Sequence, residues 1–182
     1  VVQDEKRPHA LAVHAAQPLL DCEGEIMIAL KNVLVAIDFD ALTETVLAYA
    51  RAVTRRNDAR LHVLHVTENT FLRPRSADPH AVEGSITHHI EQRLTDEDRR
   101  DLHPVPVVRM SDAPAEEIVQ YARDHDIDLI VMGTHGRKAV AHLFIGSVAE
   151  RVVRDAPCPV LTVRERQHQR HPDTAHTEKT GV

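Results

Sequence analysis

The sequence predicts an α/β fold: an open, five-stranded parallel sheet with helices on both faces. Three observations lead there. Short, uniformly apolar runs alternate with amphipathic stretches from Lys31 to Arg164, and such runs suit strands covered on both faces, as parallel sheets require. The segments between the runs supply the crossovers that parallel neighbours need. The chain has 182 residues, which suits one domain with tails, because a domain near ~150 residues buries roughly 70% of its unfolded surface.

Val33-Leu34-Val35-Ala36-Ile37 is the first strand, apolar throughout and bounded by polar residues. Leu42, Val46, Tyr49, Ala50 and Val53 then recur at helical spacing, predicting a helix over 41–55 with Asp40 as its N-cap. Leu61 to Val66 forms the second strand. From Asp78 to Arg100, Val82, Ile86, Ile90 and Leu94 repeat every fourth residue, which predicts one helix weakened by Gly84. Val105 to Val108 is a third, shorter strand, interrupted by Pro104 and Pro106. Asp112 is expected to cap a helix reaching Asp124, with Ala115, Ile118, Val119 and Ala122 on its inner face. Leu129-Ile130-Val131-Met132 makes the fourth strand. A last helix, about Val148 to Arg154, leads through Pro157-Cys158-Pro159 into Val160 to Val163.

The ends differ from the middle. Residues 1–26 hold Pro8, Pro18, scattered charges and one apolar stretch, Ala10 to Leu20. They read as a weakly ordered N-terminal extension, with Met27 as a candidate start of translation. The domain is assigned to 27–164. Residues 165–182, Glu165 to Val182, carry almost no apolar side chains and read as a disordered tail, unable to offset chain entropy by burial.

Composition excludes several classes of function. There are 28 acidic against 22 basic residues, a net charge of −6. This argues against nucleic acid as a partner, since gripping phosphates needs a concentrated basic face. No apolar run approaches the ~20 residues that cross a bilayer, and Val1 to Arg7 lacks the order of a signal peptide. Two cysteines, Cys22 and Cys158, make no disulfide scaffold, so a cytoplasmic setting is expected.

On open α/β sheets, ligands sit beyond the carboxyl ends of the strands, where the strand order reverses. After the fourth strand the chain reads Gly133-Thr134-His135-Gly136, then nine residues, then Gly146-Ser147. Glycines let a ligand approach the backbone, and a helix N-terminus attracts anions. Arg137 and Lys138 add positive charge. The loop is therefore a candidate phosphate cradle. A purely structural reading stands beside it: the glycines turn the chain, and Ser147 with Glu150 forms a capping box.

Gly-x-x-Gly, nine residues, then Gly-Ser resembles the nucleotide-binding signature of the universal stress protein family. Asp128 to Gly136 and Ala156 to Leu161 resemble that family's fourth and fifth strand regions, Val33 to Asp38 its first, and Leu64-His65-Val66 its second. The resemblance spans Lys31 to Arg164. It implies a Rossmann-like sheet of order 3-2-1-4-5 and a homodimer paired through the last strand, Val160 to Val163, whose apolar edge would otherwise stay open. It also implies Mg-dependent binding of ATP. Asp38, with Ala36 and Ile37 before it, would lie near the ribose and phosphates and serve as the candidate Mg²⁺ partner. Val66 would meet adenine, and Met132 and Gly133 would border the nucleoside. Gly136, Gly146, Ser147 and Val148 would line the phosphates, with Ser147 donating its hydroxyl. His135, bonding the loop backbone, and Arg137, adding charge, complete the candidate nucleotide-binding set. Two positions depart from the pattern. Asp40 stands where the family often has serine, adding an anion near the triphosphate, and Ala149 stands where a threonine can occur.

Fourteen histidines invite a metal hypothesis, but no spacing supports one. His62 and His65 point to opposite faces of a strand, and His88 and His89 diverge on a helix. His168, His171 and His176 lie in the tail. Without a C-x-x-C or H-E-x-x-H pattern, they read as solvated surface histidines. No nucleophile elbow is present, and Cys158 reads as a packed small residue. The chain is expected to hold ATP and act as a switch or binding partner, with at most slow hydrolysis. A non-binding relative acting through protein contacts is the alternative. An adenylating or phosphotransfer enzyme is disfavoured because no substrate domain is left over.

Overall fold

The computed structural model of the chain describes residues 29–67, 79–134 and 146–164, and the backbone of 19–20 and 26–27. The backbone pairs are short strands, β1 (Leu19–Leu20) and β2 (Ile26–Met27), joined antiparallel. The main body runs β3 (Asn32–Ala36), α1 (Thr43–Arg56), β4 (Arg60–Thr67), α2 (Pro79–Glu91), α3 (Asp96–Asp101), β5 (Val105–Met110), α4 (Pro114–Asp124), β6 (Leu129–Gly133), α5 (Ser147–Asp155) and β7 (Val160–Val163). The sheet is parallel throughout, in the order β5-β4-β3-β6-β7. Counting only its own strands along the chain, that order is 3-2-1-4-5, as expected.

Alternation along the strands divides the core in two. Val33, Val35, Leu61, Val63 and Val131 face α1, α2 and the residues around α3, packing with Val46, Leu47, Ala50, Ile90, Leu94 and Leu102. Leu34, Leu64, Ile130 and Met132 face α4 and α5, packing with Ile118, Val119, Ala122, Ala149 and Val152. Leu34, Leu64 and Ile130 are fully buried, and each stabilises the fold by about 1.5–3 kcal/mol relative to exposure. Asp128 ties the strand starts together: its carboxylate accepts the Lys31 and Asn32 amides at 2.7 and 2.9 Å.

Several local expectations need correction. The stretch 78–100 is two helices, not one. Gly84 does not weaken it into a break; the chain turns after Glu91 because Thr95 and Asp98 form a capping box that starts α3. Pro106 does not interrupt the third strand, which reaches Met110. It sits in an edge strand, where a missing ladder N–H is tolerated. Helix α4 starts at Pro114 rather than under an Asp112 cap; the N-cap position is Ala113, whose amide donates to the Ser111 hydroxyl at 3.1 Å. On α1 the inward stripe is Thr43, Val46, Leu47, Ala50 and Thr54, and Tyr49 is 47% exposed.

Candidate functional site

Strand order reverses between β3 and β6, so the chain leaves both strands at the same end and on either side of one crevice. The first lip is the turn from β3 into α1. Asp38 accepts the Asp40 amide at 3.3 Å. Asp40 in turn accepts the Leu42 amide at 2.8 Å and the Thr43 hydroxyl at 3.3 Å. The helix begins at Thr43, later than expected, with Leu42 at the N-cap. Asp40 is thus not the N-cap itself, yet its carboxylate holds the turn that leads into the helix.

Between the two aspartates, Phe39 adopts a φ of 60°. An L-residue in this left-handed region costs about 1–2 kcal/mol and persists only where the surroundings hold it. Its ring lies 4.6 Å from the His65 ring and 6.1 Å from that of His89, and the Arg93 guanidinium sits 4.8 Å from its centroid. His65 Nδ1 lies 2.8 Å from the Ile37 carbonyl. A carbonyl only accepts, so Nδ1 carries the proton.

The support continues outward. Arg93 pairs with Glu44 at 3.3 Å, and Arg51 donates to the Arg93 carbonyl at 2.6 Å. Arg51 and Arg55 reach the buried Asp98 carboxylate at 2.9 and 3.0 Å. Burial pushes the Asp98 carboxyl up, but the Thr95 amide and the Arg51 guanidinium outweigh it and hold it below the usual range.

The second lip runs from β6 to α5. Thr134 is buried, and its amide donates to Val163 at 2.9 Å. Its carbonyl accepts the Gly146 amide at 2.6 Å, so the loop returns to the strand end it left. Helix α5 then starts at Ser147 with Gly146 as its N-cap and no side-chain cap. The capping box expected of Ser147 and Glu150 does not form. Ser147 is already inside the helix, and the Glu150 amide bonds the Gly146 carbonyl at 2.9 Å. The amides of Ser147, Val148 and Ala149 therefore have no acceptor within the helix, and they stand at its positive end.

Ala36, Ile37 and Asp38 thus come together with Gly133, Gly146, Ser147 and Val148 around the reversal point. Val66, half-buried, lies near the end of β4, packed against the α4–α5 side. The Met132 side chain is core, 5% exposed, so only its backbone borders the crevice. Ala149 also turns inward, 2% exposed, which makes its departure from threonine a matter of packing. His135, Gly136 and Arg137 lie outside the described residues. Phe39 and His65 were not among the expected site residues. The one signal for His65 was its place on a strand covered on both faces.

The surface reading of the histidines fails for that strand: His62 and His65 are 6% and 7% exposed. They do point to opposite faces, as expected. His62 Nδ1 lies 2.8 Å from the Tyr121 hydroxyl, and its Nε2 has no hydrogen-bond partner. Burial first, then His125 and Arg60, push its pKa down to about 4, so it is neutral at pH 7. The Cys158 thiol is buried and pushed up to about 11, by burial and then by Asp128. Two cavities, of about 400 and 440 Å³, both touch His103 just before β5 and so open at the opposite end of the sheet. Among the described residues no group of three or more His, Cys, Asp or Glu is placed to hold a metal, and no helix is long and apolar enough to cross a membrane.

Known proteins share this frame. A model of the universal stress protein family matches residues 29–164. A universal stress protein of Thermus aquaticus is 36% identical over 140 residues, covering 74% of this chain and 98% of its own. The solved universal stress protein UspA from Lactobacillus plantarum superposes with a TM-score of 0.60 at 26% identity, covering 74% of this chain and 98% of that one. A universal stress protein from Archaeoglobus fulgidus, solved in complex with dAMP, superposes with a TM-score of 0.54 at 22% identity over 75% of this chain and 98% of its own. Strand order, the paired lips of the crevice and these matches agree, and the chain belongs to the universal stress protein family.

Proposed function

We propose that this universal stress protein binds Mg·ATP in the crevice between the β3 and β6 ends and acts as a nucleotide-loaded stress-response switch or binding partner. One observation carries the reading: the start of α5, whose N-cap Gly146 brings no side-chain acceptor, is drawn beside the end of β6 by the bond between Gly146 and Thr134. Backbone donors at a helix N-terminus suit a phosphate. The Archaeoglobus relative with dAMP supports a nucleotide as the ligand class.

Asp38 is the residue of this lip that fits Mg²⁺, which takes one or two carboxylates together with substrate phosphates. The ion would offset phosphate charge beside the two aspartates. Asp40 is less of an obstacle than its type implies, because its carboxylate already serves Leu42 and Thr43. The chain would work by holding nucleotide rather than by turnover, with hydrolysis slow at most. It would act in the cytoplasm as a homodimer joined along β7, an open sheet edge in the single chain. Light scattering at micromolar concentration should give a dimeric mass, and a monomeric mass would remove that part.

Isothermal titration with Mg·ATP tests the reading. The expected dissociation constant is in the micromolar range, about −8 kcal/mol. No heat at millimolar nucleotide would favour the alternative, a relative that acts through protein contacts alone. The specific feature behind that alternative is Asp40, whose carboxylate is fixed on the same lip beside Asp38.

A further inference from the structure

We propose that His65, together with the Phe39 ring, is the positioning residue for Asp38. The proposal rests on the reading of Asp38 as a nucleotide contact. Its basis is that His65 grips the residue on each side of Asp38. Nδ1 donates to the carbonyl of Ile37 at 2.8 Å, and the imidazole packs on the ring of Phe39 at 4.6 Å.

Neither contact is a surface accident, since His65 is buried and the partners are 28 and 26 positions away in the chain. Phe39 needs such a hold. Its φ of 60° is a conformation that a free L-residue leaves. Arg93, which also donates to the His89 carbonyl at 3.1 Å, sits over the ring as well. Rotation of Phe39 toward an ordinary conformation would swing the Asp40 amide away from the Asp38 carboxylate that accepts it. His65 therefore governs the direction in which that carboxylate faces the crevice, without touching a ligand itself. Among the described residues, the other three non-glycine residues at positive φ, Asp58, His103 and Asp126, flank the opposite ends of the strands.

The test uses the full chain with Mg·ATP, and compares His65→Leu with His65→Asn, whose side-chain N–H reaches the same carbonyl. His65→Leu should weaken binding about tenfold, as expected for one lost positioning bond, and His65→Asn should stay within about threefold of the parent. Because His65 acts through Asp38, adding His65→Leu to Asp38→Asn should cause no further loss. In nucleotide-free protein, hydrogen exchange of the Asp40 amide should speed up at least about tenfold in His65→Leu and not in His65→Asn, relative to the Val131 amide in the core. An equal loss in the Asp38→Asn background, or unchanged Asp40 exchange, would overturn the positioning role. If Asp38→Asn alone leaves affinity intact, the reading of Asp38 as a contact fails, and this proposal with it.

Discussion

In the α1–α3 layer, charge goes inside and is paired. Asp98 is fully buried between Arg51 and Arg55, and Arg93 closes over Phe39. In the α4–α5 layer a neutral histidine, His62, lies buried against Tyr121 beside an apolar cluster. Each layer supplies one lip of the same crevice. The first offers carboxylates set by long-range side-chain contacts, and the second offers backbone amides that have no acceptor within their own helix. The difference teaches where an anion belongs. Phosphates should settle on the α5 lip, and the β3 lip should take the hydroxyl or cation side of the ligand.

Filling the amide lip should have the largest effect. Gly146 has a φ of −70°, so a side chain fits its backbone without strain. Gly146→Val or Gly136→Val should lower Mg·ATP affinity at least about a thousandfold, ~4 kcal/mol, with the far-UV circular dichroism unchanged. Binding that survives both substitutions would break the contrast between the lips.

Acid should next separate the layers. His62 is held neutral with its pKa near 4, against 6.5 for an unperturbed histidine. The unfolded chain therefore binds the extra proton between those values. Stability is intact above pH 6.5 and falls as the pH drops toward 4, by up to about 3 kcal/mol. Urea unfolding at pH 7, 5.5 and 4.5 should show that slope in the parent and a flatter one in His62→Gln. Equal slopes would place the acid sensitivity elsewhere. Asp98 adds its own loss only at lower pH, because its carboxyl is held below the usual range.

The smallest effect concerns Asp40. Asp40→Asn keeps an oxygen for the Leu42 amide and removes one charge from the carboxylate lip. Mg·ATP should bind about two- to fivefold tighter. Weaker binding in the same titration would mean that the carboxylate contributes directly to the ligand site.

The strands and their order were legible because parallel strands covered on both faces read as near-continuous apolar runs, as Val33 to Ile37 and Leu129 to Met132 do. The break before α3 was hidden by a repeat that runs on from Ile90 to Leu94; Thr95 with Asp98 carried the correct signal. Pro114 likewise marked the start of α4 better than Asp112 did. The buried state of His62 and His65 followed from the strand assignment itself, but residue type suggested a surface. The amide lip was legible in the glycine spacing. The other lip was not, because a left-handed Phe39 and its contacts with His65 and Arg93 arise only when distant segments meet.

Following backbone amides of the ¹⁵N-labelled chain during titration with Mg·ATP tests the assignment of the phosphates most directly. The largest shifts should fall on Gly146, Ser147 and Val148, with smaller ones at Asp38 and Gly133. Shifts centred instead on Arg55, Arg100 and His103, at the far end of the sheet, would contradict it.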